Sequence, residues 1–349
     1  MQASLIRRAE AFQALGEDLL SIGNSSTEFA ARFEQVSSDA YSYNKWFTVE
    51  NNRQAAAALG HMLERSALVK WMATYAKLDE ARPMKRIGLV MAGNVPMVGF
   101  HDLMCVMMAG HQAVVKFSGD DDRLLPMLVE RLFEHEPALR GQYQRADGKL
   151  SDFDAVIATG GGNTSRYFEY YFGKYPHIIR RNRSSAAVLT GKETKAELEA
   201  LSRDCMAYFG LGCRNVTKLW IPEGYNLQPF CQVMEAFGAY LQHDKYRNNY
   251  DYNKSLLLLN KVPHMDNGVV LMKEDKALGA PVTVLHLEHY RALHDVENRL
   301  MDEAAMLQCV VSSGGQFPGS IPFGTTQSPA LWDYADQVDT MEFLLTIPA

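Results

Sequence analysis

The sequence lacks several features that would assign it to a specialised class of protein. Its five cysteines form no C-x-x-C pair and no histidine stands near one at zinc-site spacing, so neither a disulfide framework nor a bound metal is indicated. No run of about 18 apolar residues occurs, which argues against a transmembrane helix. The net charge of −6 gives no electrostatic reason to expect nucleic acid or an anionic membrane as a partner. With no basic and apolar leader at the start, we expect a reduced, cytoplasmic protein.

What the sequence does contain is an ordinary globular composition. Of its 349 residues, 47% are apolar and 22% are charged, which suffices for two domains with full cores. Residues 1 to about 80 have the periodicity of amphipathic helices. From Arg86 onward, short apolar runs typical of buried parallel strands alternate with helical segments. The sequence therefore predicts an α/β protein with a helical N-terminal segment and two domains, residues 1–208 and 209–349.

Two segments in the second half carry further local predictions. Residues 246–253 are rich in Tyr, Asn and Asp, which favours a polar loop. Residues 341–347 are apolar and favour a strand-like tail that could add to the sheet edge of a neighbouring copy.

Three of the predicted strands end at residues able to bind a ligand. Asn94 follows the first strand, Lys116 ends the second, and Thr159 ends the third, where Gly160 and Gly161 lead into a helix. In parallel sheets, ligands gather at the carboxyl ends of the strands. A glycine-rich turn before a helix also attracts a phosphate, because free backbone N–H groups and the helix dipole favour an anion. A solvated strand end and a plain glycine loop remain the alternatives.

Cys213 lies in a glycine-bracketed turn between a predicted helix, residues 193–208, and a predicted strand, residues 217–221. Gly210 and Gly212 allow a tight turn that presents the sulfur rather than packing it in a core. A single cysteine also suits a small buried hydrophobic position. The turn alone therefore leaves both a nucleophile and a core residue open.

Taken together, these motifs resemble the aldehyde dehydrogenase superfamily in their order and spacing. The matching segments are residues 93–96 (Gly-Asn-Val-Pro), 114–116 (Val-Val-Lys), 159–161 (Thr-Gly-Gly), 212–213 (Gly-Cys) and 322–324 (Pro-Phe-Gly). In that superfamily the asparagine is an oxyanion donor and the cysteine is the nucleophile. The resemblance implies these roles for Asn94 and Cys213. It also implies a Rossmann-like cofactor domain and a Cys-bearing catalytic domain with a C-terminal tail.

The same resemblance implies a dinucleotide site. Its residues in this chain are Lys116, Ser118, Thr159, Gly160 and Gly161. NAD-preferring relatives place after the lysine a glutamate that grips the ribose hydroxyls, and such a carboxylate would repel a 2′-phosphate. This chain has Ser118 there instead, which tolerates NADPH, although the aspartates at 120–122 leave NADH open.

One departure from the superfamily bears on the chemistry. In oxidising members a general-base glutamate lies roughly 33 residues before the cysteine. At the corresponding place this chain has residues 180–183, Arg-Arg-Asn-Arg, which include no carboxylate. That base activates the water that hydrolyses the thioacyl-enzyme. Without it, a thioester on Cys213 should survive until a hydride or another thiol arrives. The basic segment itself either helps to hold an anionic ligand or forms a basic surface loop.

The missing base and the short chain resemble one branch in particular, the acyl-CoA reductases of the bacterial bioluminescence fatty-acid-reductase type (LuxC-like). The closing segment, residues 328–343, is similar to that branch as well. This resemblance implies reduction of a long-chain acyl-CoA to an aldehyde with NADPH. It also implies an acyl-protein synthetase partner and a homo-oligomer.

Other functions stay open at the level of the sequence. The chain could be an acyl-transfer protein that uses no nicotinamide, or a non-catalytic subunit of an acyl-protein ligase complex. A fold unrelated to the superfamily, with Cys213 in its core, is a third possibility. The proton donor of a reduction is also open, and the candidates by residue type are His101, His111, His177, His286 and His289.

Overall fold

The structure is a computed structural model that describes residues 3–23 and 26–348. The chain divides into two compact units, the first comprising residues 1–181 and 328–349 and the second residues 182–327. The domain boundary expected near residue 209 falls inside the second unit. The reason is that the strand at Ser184–Val188 pairs with the strand at Val216–Pro222, so the chain joins the second sheet before it reaches Cys213.

The α-helices and β-strands alternate along most of the chain after an all-helical start. The described helices are α1 (Leu5–Ser21), α2 (Glu28–Tyr43), α3 (Val49–Met62), α4 (Arg65–Ala73), α5 (Phe100–Met108), α6 (Leu124–His135), α7 (Gly162–Phe172), α8 (Lys195–Met206), α9 (Gln228–Met234), α10 (Asp244–Leu259), α11 (Leu293–Asp302) and α12 (Thr340–Leu345). The described strands are β1 (Arg86–Val90), β2 (Gln112–Lys116), β3 (Tyr143–Arg145), β4 (Ala155–Thr159), β5 (His177–Arg180), β6 (Ser184–Val188), β7 (Val216–Pro222), β8 (His264–Asp266), β9 (Leu271–Glu274), β10 (Val284–Tyr290), β11 (Leu307–Ser312) and β12 (Ile321–Pro322).

The first unit contains a parallel sheet with the strand order β3-β2-β1-β4-β5. Its central strands are buried on both faces, as Ile87 and Leu89 of β1 show, which is why they appear as uninterrupted apolar runs. This is the strand order of a doubly wound nucleotide-binding fold, in which the ligand crevice opens where the order reverses, here between β1 and β4. The predicted α/β class is confirmed.

The helices α1 to α4 confirm the predicted helical N-terminal segment. The apolar face of α1 is buried through Phe12 and Leu15, while Ser4 caps its first turn. Helices α1 and α3 pack closely because Gly16 lies at their contact, where an added Cβ would come 2.7 Å from the Cβ of Leu63.

The second unit contains a sheet with the strand order β12-β11-β6-β7-β10-β9-β8. Its neighbouring strands are parallel except for the antiparallel pair β8–β9. Leu219 and Trp220 of β7 are buried on opposite faces of this sheet. In neither unit does a helix within residues 3–23 or 26–348 have the length and apolarity needed to cross a membrane.

Two local predictions are wrong. Residues 246–253, expected as a polar loop, lie within α10, because Tyr246, Tyr250 and Leu257 recur at helical spacing and are buried. The tail at 341–347, expected as a strand, is mostly the helix α12, which begins where the Asp339 carboxylate accepts the N–H of Glu342.

The closing segment of the chain is tied to the first unit by Arg180 at the end of β5. The guanidinium of Arg180 is buried and forms two hydrogen bonds to the Asp102 carboxylate, at 2.6 and 3.2 Å. It also donates to the Thr340 hydroxyl at 2.8 Å. Burial opposes the charge, but Asp102 raises the pKa of Arg180 above its ordinary value. Residues 328–349 therefore belong with the first sheet rather than with the Cys-bearing unit.

Candidate active site

In the first unit, the predicted ligand residues meet at the carboxyl edge of the sheet. The N–H of Met91, directly after β1, donates to the carbonyl of Lys116 at 3.1 Å. Gly93 packs so closely on the next loop that an added Cβ would lie 2.5 Å from the Ser118 hydroxyl. Asn94 and the side chain of Lys116 are both exposed. The turn that carries Asn94 and the loop that carries Ser118 are thus in contact.

The third element at this edge is the glycine turn after β4, which pairs with β1 on its other side. An added Cβ on Gly160 would lie 2.8 Å from the Phe168 ring, so a glycine there lets α7 pack against the strand end. Gly161 is the N-cap of α7 and has no side chain to cap the helix. Backbone N–H groups at a glycine-capped helix start, with Lys116 exposed at the end of a nearby strand, fit the phosphates of a dinucleotide.

Asp121 is a further residue of this edge, which sequence analysis names only as one of three aspartates bearing on the choice of nucleotide. It is 2% exposed, and its Oδ2 accepts the N–H of Met97 at 2.6 Å. Burial raises the pKa of Asp121 to about 7, although the N–H groups of Met97, Leu125 and Leu124 act in the opposite direction. The charge of Asp122 raises it further.

The raised pKa of Asp121 predicts a pH-dependent stability. Between the ordinary value of 3.8 and about 7 the folded chain holds a proton that the unfolded chain has released. The contribution of Asp121 to the unfolding free energy is therefore largest below pH 3.8. It falls as the pH rises towards 7, by up to about 1.4 kcal/mol per pH unit. Asp121→Asn removes the titration, so we expect the variant to gain stability relative to the parent between about pH 4 and about pH 8. Denaturant unfolding of both proteins across this range measures the difference, and a constant difference would contradict the prediction.

In the second unit, Cys213 lies on a turn held by Asn215. Tyr208, Phe209 and Gly210 follow α8 with φ of 51°, 60° and 78°, three consecutive left-handed residues. The buried Asn215 side chain accepts the N–H of Gly212 at 2.7 Å and donates to the carbonyl of Ala207 at 2.9 Å. These two hydrogen bonds fix the turn against the end of α8, and the Cys213 side chain is half-buried.

The strand β6 supports the same turn from its other side. The buried Ser185 hydroxyl donates to the carbonyl of Cys213 at 2.9 Å and lies 3.0 Å from the sulfur of Cys309. Burial raises the pKa of the Cys309 thiol, while the positive charge of Arg214 acts in the opposite direction. Arg214 follows Cys213 directly, so the chain places a cationic residue next to the candidate nucleophile.

The other cysteines are poor nucleophiles. Burial raises the pKa of all four of these thiols, namely Cys105, Cys205, Cys231 and Cys309. Cys213 is the cysteine that combines partial exposure with a built turn. This argues against the interpretation of Cys213 as a core residue.

The Pro-Phe-Gly segment at 322–324 is fastened to α8, the helix that leads into the Cys213 turn. The buried Asp204 carboxylate accepts the N–H of Gly324 at 2.6 Å and the hydroxyl of Thr326 at 2.8 Å. Gly324 has φ of 84°, and an added Cβ would lie 3.0 Å from that of Ala200, so both conformation and space require a glycine. The segment therefore has a defined place in the second unit.

The segment at 180–183 is not a simple basic surface loop. Arg180 is buried against Asp102, the exposed Arg181 pairs with Glu169, and Arg183 donates to the carbonyl of Leu307 at 2.9 Å. The charges of Arg180 and Arg181 are thus compensated by acidic partners. As the sequence indicates, no carboxylate occurs at residues 177–183.

Three of the five candidate histidines are buried or half-buried in structural contacts. His111 is buried, accepts the N–H of Lys85 on Nδ1 and donates from Nε2 to Leu344. His101 lies 2.9 Å from the carbonyl of Leu331. His286 is buried, which lowers its pKa, and bonds the carbonyl of Ala277. The remaining two are the more exposed His177 and His289. Within the described part of the chain, no group of three or more His, Cys, Asp or Glu side chains is arranged to hold a metal ion.

Comparison with known proteins adds a family and a fold. The profile of the acyl-CoA reductase (LuxC) family matches residues 28–217. No curated protein sequence matches the chain significantly. Among solved structures, aldehyde dehydrogenase 21 from Physcomitrella patens, in complex with succinate, is 12% identical with a TM-score of 0.64, over 97% of this chain and 84% of that one.

Two further structures have the same fold. An aldehyde dehydrogenase from Mycobacterium tuberculosis, complexed with NAD+, is 15% identical with a TM-score of 0.63, over 89% of this chain and 73% of that one. A propionaldehyde dehydrogenase variant from Clostridium phytofermentans is 10% identical with a TM-score of 0.57, over 89% and 78% of the two chains. At such low identity the likeness establishes the aldehyde dehydrogenase fold.

Proposed function

This chain belongs to the acyl-CoA reductase (LuxC) family of oxidoreductases, and from that premise we propose that it reduces a long-chain acyl-CoA to an aldehyde with NADPH, through a thioester on Cys213. The proposal rests on one combination of features. Cys213 is a half-buried thiol on a turn held by hydrogen bonds, and residues 177–183 contain no carboxylate. The first supplies a nucleophile, and the second supplies no carboxylate base for water.

The chemistry begins at the Cys213 sulfur. Its thiolate attacks the acyl carbonyl carbon, the new S–C bond forms, and the bond to the coenzyme A sulfur breaks. The coenzyme A leaves as a thiol with the proton that Cys213 gave up. The amide N–H₂ of Asn94 donates a hydrogen bond to the negative oxygen that develops during the attack.

The first unit binds the dinucleotide in this proposal. Lys116 and Ser118 take the adenosine ribose, and Thr159, Gly160 and Gly161 take the pyrophosphate at the start of α7. When bound, the nicotinamide supplies the hydride that takes the thioester to the level of an aldehyde. Residues 177–183 contain no carboxylate to activate a water, so the proposal expects hydrolysis of the thioester to be slow.

The preference for NADPH rests on what the three aspartates after Ser118 do. Asp121 is buried and bonded to Met97, which removes it from the ribose position. Asp122 lies 3.6 Å from Arg123, whose charge offsets its own. Asp120 is exposed, so it is the one of the three that would oppose a 2′-phosphate. Titration of both nucleotides by fluorescence measures the preference, and tighter binding of NADH would remove this part of the proposal.

The proposed function is tested by mixing the protein with NADPH and acyl-CoAs of short, medium and long chain. We expect NADPH oxidation and aldehyde release in equal amounts, fastest with long chains. Coenzyme A release without NADPH oxidation would favour the acyl-transfer protein instead. Neither product, with an intact fold, would favour a non-catalytic subunit.

Asn94→Ala tests the oxyanion role. Removing one donor to an oxyanion typically lowers a rate by about 10²–10³-fold, so we expect acylation of Cys213 to slow by that factor. Dinucleotide binding should stay unchanged, because the backbone of the turn remains. Rapid-quench measurement of labelled acyl-enzyme gives the rate, with Asn248→Ala, an exposed asparagine on α10, as the matched control. An acylation rate equal to that of the control would exclude Asn94 from the reaction.

A further inference from the structure

We propose that Asp121 is a positioning residue for Asn94, which its carboxylate holds in place through the N–H of Met97. This inference rests on the proposed function for the role of Asn94. It adds a residue that none of the sequence motifs contains, 27 positions further along the chain.

The first argument is the conformation of the turn. Met97 has φ of 58°, a left-handed conformation that a side chain with a Cβ rarely adopts. Met97 is also 1% exposed, so water does not reach its backbone N–H group. The Asp121 oxygen at 2.6 Å is the acceptor for that group. Because this hydrogen bond gives the buried N–H group an acceptor, Asp121 offsets the strain at Met97.

The second argument is the way the whole turn is fastened. Asn94 stands between two anchors, Gly93 packed against Ser118 and Met97 bonded to Asp121. Both partners lie in one compact loop, in which the N–H of Asp121 donates to the carbonyl of Ser118 at 3.2 Å. Because both ends of this short turn are held on the same loop, the backbone that carries the exposed Asn94 side chain is fixed in position.

The third argument is the position of Asp121 within its own loop. Its buried carboxyl group interacts with the N–H groups of Leu124 and Leu125 at the start of α6 as well as with that of Met97. One carboxyl group therefore joins the turn that carries Asn94 to the first turn of a helix.

A double-mutant cycle separates positioning from general support. The variants are Asp121→Ala, Asn94→Ala and the double variant, and the readout is the rate constant for labelling Cys213 with acyl-CoA in a single turnover. If Asp121 acts through Asn94, Asp121→Ala slows labelling by about 10-fold or more, while adding it to Asn94→Ala changes the rate by less than about 2-fold. If the slowdowns caused by Asp121→Ala and Asn94→Ala multiply in the double variant, the inference is overturned.

Two further variants separate loss of the hydrogen bond from loss of the folded structure. Asp121→Asn keeps an oxygen that can accept the Met97 N–H, and we expect it to restore labelling to within a few-fold of the parent protein. Where Asp121→Ala does not fold, Asp121→Leu keeps the volume and gives the same comparison. Asp147→Ala, on an aspartate whose side chain is 89% exposed, is the control and should label like the parent. An Asp121→Asn variant as slow as Asp121→Ala would overturn the role of the hydrogen bond.

A second measurement keeps this inference distinct from the proposed function. Amide hydrogen exchange in Asp121→Ala should accelerate by about 10-fold or more at Met97 and Val98, with exchange in β1 unchanged. If the parent protein never labels on Cys213 but this exchange accelerates, the proposed function fails and the anchoring by Asp121 stands. If labelling occurs and the exchange is unchanged, the anchoring fails and the proposed function stands.

Discussion

Cys213→Ala is expected to abolish covalent incorporation of labelled acyl groups from acyl-CoA, and with it the reduction to aldehyde. The reason is that no other thiol combines partial exposure with a turn built to present it, and burial raises the pKa of the remaining four. The loss should be complete within detection, because removing a nucleophile removes the intermediate itself. The measurement is the mass of the intact protein after incubation with acyl-CoA in the absence of NADPH.

The matched control is Cys309→Ala. Cys309 shares the Ser185 hydroxyl with the Cys213 turn, but it lies within strand β11 and burial raises the pKa of its thiol, so its removal should leave labelling largely intact. Undiminished labelling of Cys213→Ala would exclude Cys213 as the nucleophile. Loss of labelling in Cys309→Ala, with normal folding, would transfer the assignment to that residue.

Arg180→Met is expected to destabilise the first unit by about 3–5 kcal/mol, the usual effect of breaking a buried ion pair from one side. The substitution leaves the Asp102 carboxylate without its two guanidinium hydrogen bonds and removes the donor to Thr340. Urea unfolding followed by fluorescence measures the change. Trp71 is a suitable reporter, because its indole N–H donates to Tyr334 in the same closing segment.

The neighbouring Arg181 offers the matched control for this prediction. Its guanidinium pairs with Glu169 while 66% of the side chain is exposed, so Arg181→Met should change stability by no more than about 1 kcal/mol. The double variant with Asp102→Leu should recover much of the loss, because it removes the unpaired charge as well. Equal effects of the two arginine substitutions would show that Arg180 does not anchor the closing segment.

The elements that the sequence predicts correctly are those whose signals are local. The strands β1, β2 and β4 are apolar runs bounded by turn residues, and the glycines at 160–161 lie directly between a strand and a helix. The fold class follows from this alternation, and the family resemblance adds the expected order of the motifs. Asn94, Lys116 and Thr159 meet at one edge because strands of a parallel sheet all end on the same side.

The contacts that sequence analysis missed join residues far apart in the chain. Asp121 bonds Met97 from 24 residues away, Ser185 supports Cys213 from 28, and Arg180 reaches Asp102 from 78. Each is a common polar residue in a loop or strand, and pairing of this kind depends on how the sheet brings loops together. Nothing in the local pattern distinguishes the buried Asp121 from the exposed Asp120 beside it.

The two wrong element predictions have a different cause. In α10, tyrosines and an asparagine fill the buried face, so the apolar periodicity is weak although the helical spacing is present. In α12, the apolar run resembles a strand, and the capping carboxylate of Asp339 is the signal that identifies a helix start.

The most direct test of the proposed chemistry is the lifetime of the acyl-enzyme in water. The protein is incubated with labelled acyl-CoA, separated from it, and followed by mass spectrometry with and without NADPH. We predict that the acyl group stays on Cys213 without NADPH and is released as one equivalent of aldehyde when NADPH is added. Release as a free fatty acid before NADPH is added, as fast as coenzyme A was released, would contradict the account.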